Sequence, residues 1–470
     1  MTLYVFNWAS LDEICTVFAF LCSIYFFIVI TSYNGEKFFL RYLKMSTIAE
    51  KILGEKAGKG KEGKVEAGEI VECIVDYIMV NDITGVPAFE VLDELGVELE
   101  EEMKKEKVVV IQDHYVPNKD VDSAEQAKAL RGYARKYGIA NYYEIGKGGS
   151  GICHQVMIEE GFAAPGRLII GADSHTCSYG ALGAFSTGVG STEAAAAMAA
   201  GRLWFKVPAT QKFVIDGELK RYVMGKDIIL HIIGDIGVSG SLYKAQEFYG
   251  TAIKNLCLSD RITISNMAVE AGAKAGIIPP DEKVFEFLSD SGRLRGDYKP
   301  VYASDAEYEE VFEYDASEIV PTVAKPFSPD NTVPASELDV PIDQAYLGSC
   351  TNGRIEDLRI AAEMLRGKKV NQEVRMIVIP ASKRVFERAL EEGLIKIFLE
   401  AEAFVCGPTC GACLGGHMGV LASGERCIST TNRNFIGRMG HKDSEVYLAN
   451  PAVVAASAVE GTITDPTELE

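Results

Sequence analysis

The sequence predicts an α/β fold with largely parallel sheets. Short apolar runs rich in β-branched residues recur along the chain, as at 108–112 (VVVIQ), 168–172 (LIIGA) and 376–379 (MIVI). Amphipathic stretches, such as 123–137 and 382–392, lie between runs of this kind. Buried strands that alternate with helices are typical of parallel sheets covered by helical layers.

Size and composition narrow the possibilities further. The 470 residues favour two to four domains, and a hydrophobic fraction of 47% is ample for globular cores. The net charge of −20 argues against a nucleic-acid-binding surface, so any anionic ligand must be met by locally placed Arg or Lys. The 11 cysteines are spread over the chain without a compact disulfide framework. This favours a reducing compartment, and we expect the cytoplasm.

Residues 1–44 differ from the rest of the chain. A nearly unbroken apolar run at 14–33 is long enough to span a bilayer, and no Lys or Arg precedes it as in a signal peptide. Met45 opens a segment typical of the start of a globular chain. We interpret 1–44 as an extension absent from the working protein, such as a mis-assigned start. A membrane anchor is the alternative.

Three of the six histidines fall between residues 114 and 175, next to predicted strand ends. Catalytic groups favour the carboxyl ends of parallel strands, where the sheet leaves a crevice. A neighbouring carboxylate orients an imidazole and shifts its pKa, which gives a usable acid or base. Two Asp–His pairs together predict an acid/base site. The residues concerned are Asp113, His114, His154, Asp173, Ser174 and His175. The nearby 146–151 (GKGGSG) fits a nucleotide-binding pattern only formally, and we interpret it as a turn.

Three cysteines form the second candidate group. Cys350 lies in GSCTN, and Cys410 and Cys413 lie in CGPTCGAC. Iron–sulfur cubanes are normally held by four thiolates. A site with three leaves one iron open to bind and polarise a substrate. Beside acid/base histidines, this group predicts a cluster that does chemistry rather than electron transfer.

Two alternatives for these cysteines stay open from the residues alone. Cys406, Cys410 and Cys413 have the C-x3-C-x2-C spacing of radical S-adenosylmethionine enzymes, although Cys350 would then have no role. A zinc site would need a fourth ligand, such as His417. Separately, the loop at 432–438 carries two guanidiniums five residues apart, and this geometry suits bidentate carboxylate binding.

The segments GSCTNGR, CGPTCGACLGG, DSHT and TNRNFIGR together resemble the aconitase superfamily, over essentially all of 45–470. The resemblance is strongest to the branch with separate large and small subunits. It implies three α/β domains around one [4Fe–4S] cluster per subunit, without the swivel domain of the single-chain members. We place the domains at 45–208, 209–325 and 326–470, the last carrying the cluster cysteines.

The resemblance also implies roles for individual residues. Cys350, Cys410 and Cys413 match the cluster ligands, with Cys406 outside the set. Asp113 and His114 match the pair near the leaving hydroxyl. His154 is then the partner of Asp173, and His175 that of Glu247. The residues expected to contact substrate are Asn81, Asp82, Ser174, Asn432, Arg433 and Arg438, with Arg354 near the cluster.

The implied activity is that of a hydro-lyase. It interconverts 2- and 3-isopropylmalate by dehydration and rehydration in leucine biosynthesis, with homocitrate as the alternative substrate. The missing domain is expected from a small subunit, in a heterodimer or heterotetramer. That partner also carries the catalytic base, so the large chain alone is expected to be nearly inactive. Nucleic acid is not expected as a partner.

Overall fold

The computed structural model describes residues 31–33, 36–38, 46–59 and 65–469. The predicted extension therefore lies outside the described residues, except for an antiparallel hairpin of β1 (Thr31–Tyr33) and β2 (Glu36–Phe38). Its interpretation stays a prediction. Every helix in the described part of the chain is too short or too polar to cross a bilayer. The remaining elements lie in the compact unit that begins at Ser46.

The first sheet has five parallel strands in the order β6-β5-β4-β7-β8, and β3 and β9 pair as a separate antiparallel ribbon. The four residues of β5 are buried, as expected for a central strand covered on both faces. The strands are β3 (Ile70–Ile74), β4 (Tyr77–Asn81), β5 (Val108–Ile111), β6 (Asn141–Tyr143), β7 (Leu168–Gly171), β8 (Phe185–Gly188) and β9 (Arg202–Lys206).

Five α-helices accompany this sheet. The longest begins at Asp120, whose side chain accepts a hydrogen bond from the Ser123 amide, and ends at Gly138 with φ of 67°. Both ends follow the usual capping chemistry, since glycine adopts the left-handed conformation without a steric penalty. The helices are α1 (Ile48–Lys56), α2 (Gly85–Leu95), α3 (Val121–Tyr137), α4 (Cys153–Glu159) and α5 (Ser191–Ala200).

The second sheet has four parallel strands in the order β12-β11-β10-β13. Its strands are β10 (Thr210–Asp216), β11 (Ala245–Tyr249), β12 (Ala275–Ile277) and β13 (Glu310–Asp315). Its helices are α6 (Gly225–Ile236), α7 (Thr251–Asn255), α8 (Leu258–Met267) and α9 (Glu282–Ser291). A short 3-10 helix, Ala268–Ala271, continues directly from α8.

The third sheet has seven strands in the order β15-β14-β20-β19-β16-β17-β18, and β16 to β20 are parallel. The strands are β14 (Thr322–Ala324), β15 (Thr332–Pro334), β16 (Gln344–Leu347), β17 (Arg375–Val378), β18 (Phe404–Val405), β19 (Arg426–Ser429) and β20 (Glu445–Leu448). The helices are α10 (Ile355–Leu365), α11 (Lys383–Glu391), α12 (Leu394–Glu400) and α13 (Pro451–Glu460).

The predicted α/β class with largely parallel sheets is confirmed. The apolar runs chosen from the sequence are β5, β7 and β17, and the amphipathic stretches are α3 and α11. The predicted domain boundaries stay a prediction. The third sheet begins at Thr322, just before the expected boundary at 325, because β14 pairs with β20 rather than with the second sheet. One buried apolar cluster also combines residues of the second and third sheets.

Candidate active site

Three chain segments leave the first sheet at the same edge. Because β4, β5 and β7 are parallel neighbours, the residues that follow them emerge side by side. Asp82 follows β4, the Asp113–His114 pair follows β5, and Asp173 follows β7. The carboxyl edge of this sheet therefore gathers the acid/base groups that the sequence places far apart.

His114 is held by two carboxylates in different ways. Its Nδ1 lies 2.7 Å from Asp113 Oδ1. The backbone of its loop is fixed by Asp82, whose Oδ1 accepts from the amides of Asp113 and His114 at 3.0 and 2.9 Å. Burial disfavours the charged imidazole, but the carboxylates of Asp113, Asp82 and Asp173 together outweigh it and raise the pKa of His114 to about 10. His114 is thus protonated at neutral pH.

His154 lies in the first turn of α4 and is paired with Asp173. Its Nε2 is 2.9 Å from Asp173 Oδ1, and its Nδ1 is 3.0 Å from the Tyr179 hydroxyl. The amide of His175 donates to the same carboxylate oxygen at 2.9 Å. Burial opposes ionisation of Asp173, but His154 and His175 outweigh it and hold the pKa well below its usual range. The predicted His154–Asp173 pair agrees with this geometry.

The predicted pairing of His175 with Glu247 is wrong. His175 Nε2 lies 2.8 Å from Oε1 of Glu270, on the 3-10 helix after α8. Glu247 lies on β11 and accepts hydrogen bonds from the Ile48 amide and the Tyr249 and Tyr308 hydroxyls. Glu247 lies on a strand of the second sheet and Glu270 on the 3-10 helix after α8, and only Glu270 contacts His175.

The cysteines approach from the third sheet. Cys350 follows β16, and Cys410 follows β18, so both again lie beyond the carboxyl ends of parallel strands. Cys413 lies on a 3-10 helix, Gly411–Leu414, that starts directly after Cys410. The Cys410 amide donates to the Asp113 carbonyl at 2.9 Å, which ties the cysteine segment to the His114 loop.

Amide and hydroxyl donors surround the sulfurs. Asn266 Nδ2 donates to Cys350 Sγ at 3.2 Å, Asn432 Nδ2 approaches the same sulfur at 3.5 Å, and Ser349 Oγ lies 3.5 Å from Cys413 Sγ. Arg354 Nη1 donates to the Cys350 carbonyl at 2.8 Å and so fixes its turn. Donors aimed at sulfur favour thiolates over thiols, because a thiolate is the stronger acceptor.

The donor set fits an iron–sulfur cluster. Cys350, Cys410 and Cys413 are buried, carry free thiols and line one cavity. Burial raises the pKa of Cys350 to about 12, whereas a hydrogen bond from Cys410 and then the Arg438 guanidinium lower that of Cys413 against the effect of burial. A metal centre replaces the protons of such thiols by its own charge.

Two guanidiniums reach the same cavity. Arg433 Nε donates to Glu270 Oε2 at 3.0 Å and Arg433 Nη1 donates to Ser174 Oγ at 3.0 Å. Burial opposes ionisation of Glu270, but His175 and Arg433 outweigh it and lower its pKa. Glu270 therefore neutralises Arg433. Arg438 has no carboxylate partner among the residues that the structure describes, and its Nε is buried without a hydrogen bond.

These groups meet in one cavity of about 360 Å³. Its polar lining includes Asn81, Thr84, His114, Cys153, His154, Asp173, Ser174, His175, Cys350, Cys410, Cys413, Asn432, Arg433 and Arg438. Its apolar lining includes Ile83, Ile152 and Leu414, with Tyr115 beside them. Tyr115 and Leu414 both pack against Gly416, where each would meet an added Cβ at 2.4 Å. We call Ile83, Tyr115 and Leu414 the apolar rim.

Several predicted residues do not line this cavity. Asp82 is 1% exposed, and its carboxylate is used by three backbone amides, including that of Tyr115 at 2.7 Å. It anchors the His114 loop rather than offering itself to a ligand. Cys406 Sγ lies 3.3 Å from Met418 Sδ, and His417 Nε2 lies 2.5 Å from the Pro117 carbonyl oxygen. Neither belongs to the lining, which argues against the zinc alternative.

Sequence reasoning missed Glu270, Asn266 and Lys226. Glu270 is the one carboxylate in an apolar and small-residue stretch, 266–277, and this isolation was a usable signal. Lys226 occupies a position of α6 surrounded by buried residues, which is unusual for lysine. Asn266 had no comparable signal, because asparagine is common at helix ends and its role appears only through its contact with Cys350.

Comparison with known proteins agrees with this geometry. The model of the aconitase family (aconitate hydratase) matches residues 50–340 and 335–461. The chain belongs to the aconitase family. A "3-isopropylmalate dehydratase large subunit" of Halothermothrix orenii is 56% identical over 425 residues, which are 90% of this chain and 99% of the relative. The corresponding proteins of Pyrococcus abyssi ("large subunit 1") and Aquifex aeolicus are 56% and 54% identical, each over 90% of this chain and 99% and 97% of the relative.

The predicted resemblance to the aconitase family is thereby confirmed. The radical S-adenosylmethionine alternative is not supported, since it requires Cys406 as a ligand and gives Cys350 no role. In this aconitase-family chain Cys350 lines the cavity and Cys406 lies against Met418, which is the opposite of what that alternative requires.

Proposed function

We propose that this chain is the large subunit of a 3-isopropylmalate dehydratase, which interconverts 2- and 3-isopropylmalate through an unsaturated acid. The observation that carries the proposal is one cavity lined by three buried thiols, a protonated His114, the apolar rim and Arg438, which has no carboxylate partner among the described residues. The relatives described above support the same reading, because the match extends over nearly their whole length.

Cys350, Cys410 and Cys413 would hold a [4Fe–4S] cluster, one per chain. Such a cluster, bound through three cysteines, supplies a Lewis acid that polarises the hydroxyl and a carboxylate of the substrate. Ser349, Asn266 and Asn432 orient the sulfurs by hydrogen bonds. Donors of this type fix the ligands of a metal site and tune its electronics.

His114 is the proposed general acid. Its Nδ1 is held by Asp113, so its Nε2–H faces the cavity and can donate a proton to the departing hydroxyl. The raised pKa keeps this proton in place at neutral pH. In the dehydration the C–O bond breaks with proton transfer from His114. A base takes the proton from the neighbouring carbon, and the carbon–carbon double bond forms. Rehydration reverses these transfers with the hydroxyl on the neighbouring carbon.

Arg433 and Arg438 have different roles in substrate binding. Glu270 and Ser174 hold Arg433 in one orientation, so it acts as a preorganised donor to a carboxylate. Arg438 brings the uncompensated positive charge that an anionic substrate requires. His154 and His175, which are held by Asp173 and Glu270, line the same cavity as the two arginines. Asn81 adds an amide whose Nδ2 lies 3.4 Å from Asp173 Oδ2.

The apolar rim favours isopropylmalate over homocitrate. The two acids differ at the third substituent of the carbinol carbon, which is a branched alkyl group in the first and ends in a carboxylate in the second. Ile83 and Leu414 offer apolar surface to such a substituent and no partner for a carboxylate. Burying the extra charge there would be costly, so homocitrate is the second candidate.

We infer that a small subunit carrying the swivel domain completes the site in a heteromer and brings the base. The relatives are named large subunits, which supports a partner of this kind. A cytoplasmic location fits the nine described cysteines, which are all free thiols, and a role in amino-acid biosynthesis.

The test is an anaerobic assay of the full chain after reconstitution with iron and sulfide, with and without the small subunit of the same source. Absorbance of the unsaturated acid is followed from 2-isopropylmalate, homocitrate and citrate. We expect turnover with the partner present and a preference for 2-isopropylmalate. Absence of turnover on all three acids, with the cluster loaded and the partner bound, would overturn the proposal. A preference for homocitrate would replace it by the second candidate.

A further inference from the structure

A lysine is buried against the loop that leads to Asn432, and no carboxylate of the described residues pairs with it. Lys226 is the second residue of α6 and is 0% exposed. Lysine is almost never fully buried unless it is paired, because removing an ammonium from water is costly. The first turn of a helix also disfavours a cation, since the helix dipole is positive there. Something in the surroundings must therefore stabilise this charge.

Backbone carbonyls are the direct partners of Lys226. Its Nζ donates to the carbonyl oxygen of Thr430 at 3.1 Å and also to that of Thr431. Asp227 is adjacent in sequence, but its carboxylate is used elsewhere, by the amides of Met224 and Thr322 at 2.7 and 2.8 Å and by Asn450 Nδ2 at 2.7 Å. Within the described residues no carboxylate oxygen lies within 4.0 Å of Lys226 Nζ.

Two cysteine sulfurs lead the nearby groups that favour the charged form of Lys226. Burial lowers the pKa of Lys226 to about 7, and the strongest opposing influences are Cys413 and then Cys350, ahead of Asp227. The two carbonyls that accept from Lys226 also lead directly into Asn432, whose side chain contacts Cys350 and Cys413. Lys226 is thus connected to the cysteine group both by charge and by the loop it holds.

We propose that Lys226 is a positioning residue whose buried ammonium is the counter-charge of the three-cysteine group and anchors the loop that begins at Thr430. Without this charge, compensation of the thiolates would fall to cations of the cavity such as Arg438, which the anionic substrate also requires. The inference rests on the proposed metal-binding role of the cysteines but not on the identity of the substrate.

The test uses two substitutions and the metal alone as the probe. Lys226→Met removes the charge and the donors, whereas Lys226→Gln removes the charge and keeps an amide donor on a shorter side chain. The reduced full chain is titrated anaerobically with Co²⁺, and the sulfur-to-cobalt charge-transfer band reports binding. We expect the affinity to fall about tenfold or more in both variants. Wild-type affinity in Lys226→Gln would overturn the counter-charge role.

Ile233→Ala is the matched control, because Ile233 is fully buried on the same helix α6. This substitution leaves a cavity in the core, which lowers the melting temperature without altering charge. We therefore expect unchanged Co²⁺ affinity. An equal loss of affinity in Ile233→Ala and the Lys226 variants would assign the effect to general destabilisation and overturn the proposal. If the wild-type chain gives no charge-transfer band, the proposed cysteine site itself is wrong, whatever the variants do.

Discussion

The three imidazoles of the cavity each lie within hydrogen-bond distance of a carboxylate, whereas the three thiols contact amides, hydroxyls and each other. We call these groups the histidine side and the cysteine side. The carboxylates of the histidine side accept further hydrogen bonds from backbone amides or from Arg433. On the cysteine side, the described neighbours that oppose thiolate charge include the cations Lys226 and Arg438.

The two sides therefore differ in what they need in order to function. The histidine side is satisfied by the chain's own groups, so its proton-transfer geometry is preorganised. The cysteine side collects negative charge that the chain compensates only in part, as expected of a site whose energy is completed by a bound cation. Substitutions should therefore change rate on the histidine side and metal loading on the cysteine side.

Removal of a cysteine should have the largest effect. For Cys350→Ala we expect loss of the reconstituted iron and a fall in activity of about 10³-fold, since Lewis-acid stabilisation is worth several kcal/mol. Iron and sulfide analysis and the anaerobic assay measure both. Cys427→Ala is the control, because Cys427 is also a buried free thiol but lies outside the cavity. Full iron loading in Cys350→Ala would contradict the expected difference between the histidine side and the cysteine side.

Removal of the carboxylate behind His114 should lower the rate and leave the metal in place. For Asp113→Asn we expect kcat to fall about 10²-fold. The Asp113 carboxylate raises the pKa of His114, so its loss must lower that pKa. The fall in kcat/KM on the alkaline side of the pH profile should then begin at a lower pH. An unmoved alkaline limb, at normal iron content, would remove His114 from the role of acid.

Glu270 and Glu247 form a natural pair of test residues, since both are buried carboxylates of the second sheet region. In Glu270→Gln, His175 and Arg433 lose their common anion, and we expect kcat/KM to fall by about 30-fold, equivalent to ~2 kcal/mol. Glu247→Gln should leave kcat/KM unchanged while lowering thermal stability. Steady-state kinetics and melting curves of both variants decide the matter. The opposite ranking in kcat/KM would restore the pairing first predicted for His175.

The smallest effect is expected at the apolar rim. Ile83→Ala removes surface that faces the branched substituent of 2-isopropylmalate, and we expect KM to rise about tenfold. With 2-methylmalate, whose substituent is a single methyl group, KM should change much less. An equal change for both acids would show that Ile83 does not contact the substituent.

The sequence predicted most of the site because its residues follow strands. Asp113, His114, Asp173 and Cys350 lie just beyond the ends of β5, β7 and β16, where a parallel sheet exposes them together. The fold class followed from the same strand and helix periodicity. Residue identity at strand ends was therefore enough to locate the histidine side, whereas the cysteines were predicted from their sequence motifs and the family resemblance.

The contacts that join separate segments could not be predicted in this way. Glu270 lies 95 residues from His175, and the choice between it and Glu247 depends on whether strand β11 or the 3-10 helix after α8 reaches the cavity. Asp82 was expected to contact substrate, but its oxygens are used by the amides of the His114 loop. Lys226 is 204 residues from the Thr430 carbonyl that it binds. Such pairings depend on tertiary packing rather than local pattern.

The central claim concerns both sides of the cavity. The cysteine side carries a cluster with one iron available to the substrate, and the histidine side protonates the departing hydroxyl of that substrate. This claim is tested most directly by Mössbauer spectroscopy of the anaerobically reconstituted full chain, before and after addition of 2-isopropylmalate. The account predicts a [4Fe–4S] spectrum in which the signal of one iron changes with substrate. A loaded cluster whose four irons are all unaffected by saturating substrate, in the presence of the small subunit, would contradict it.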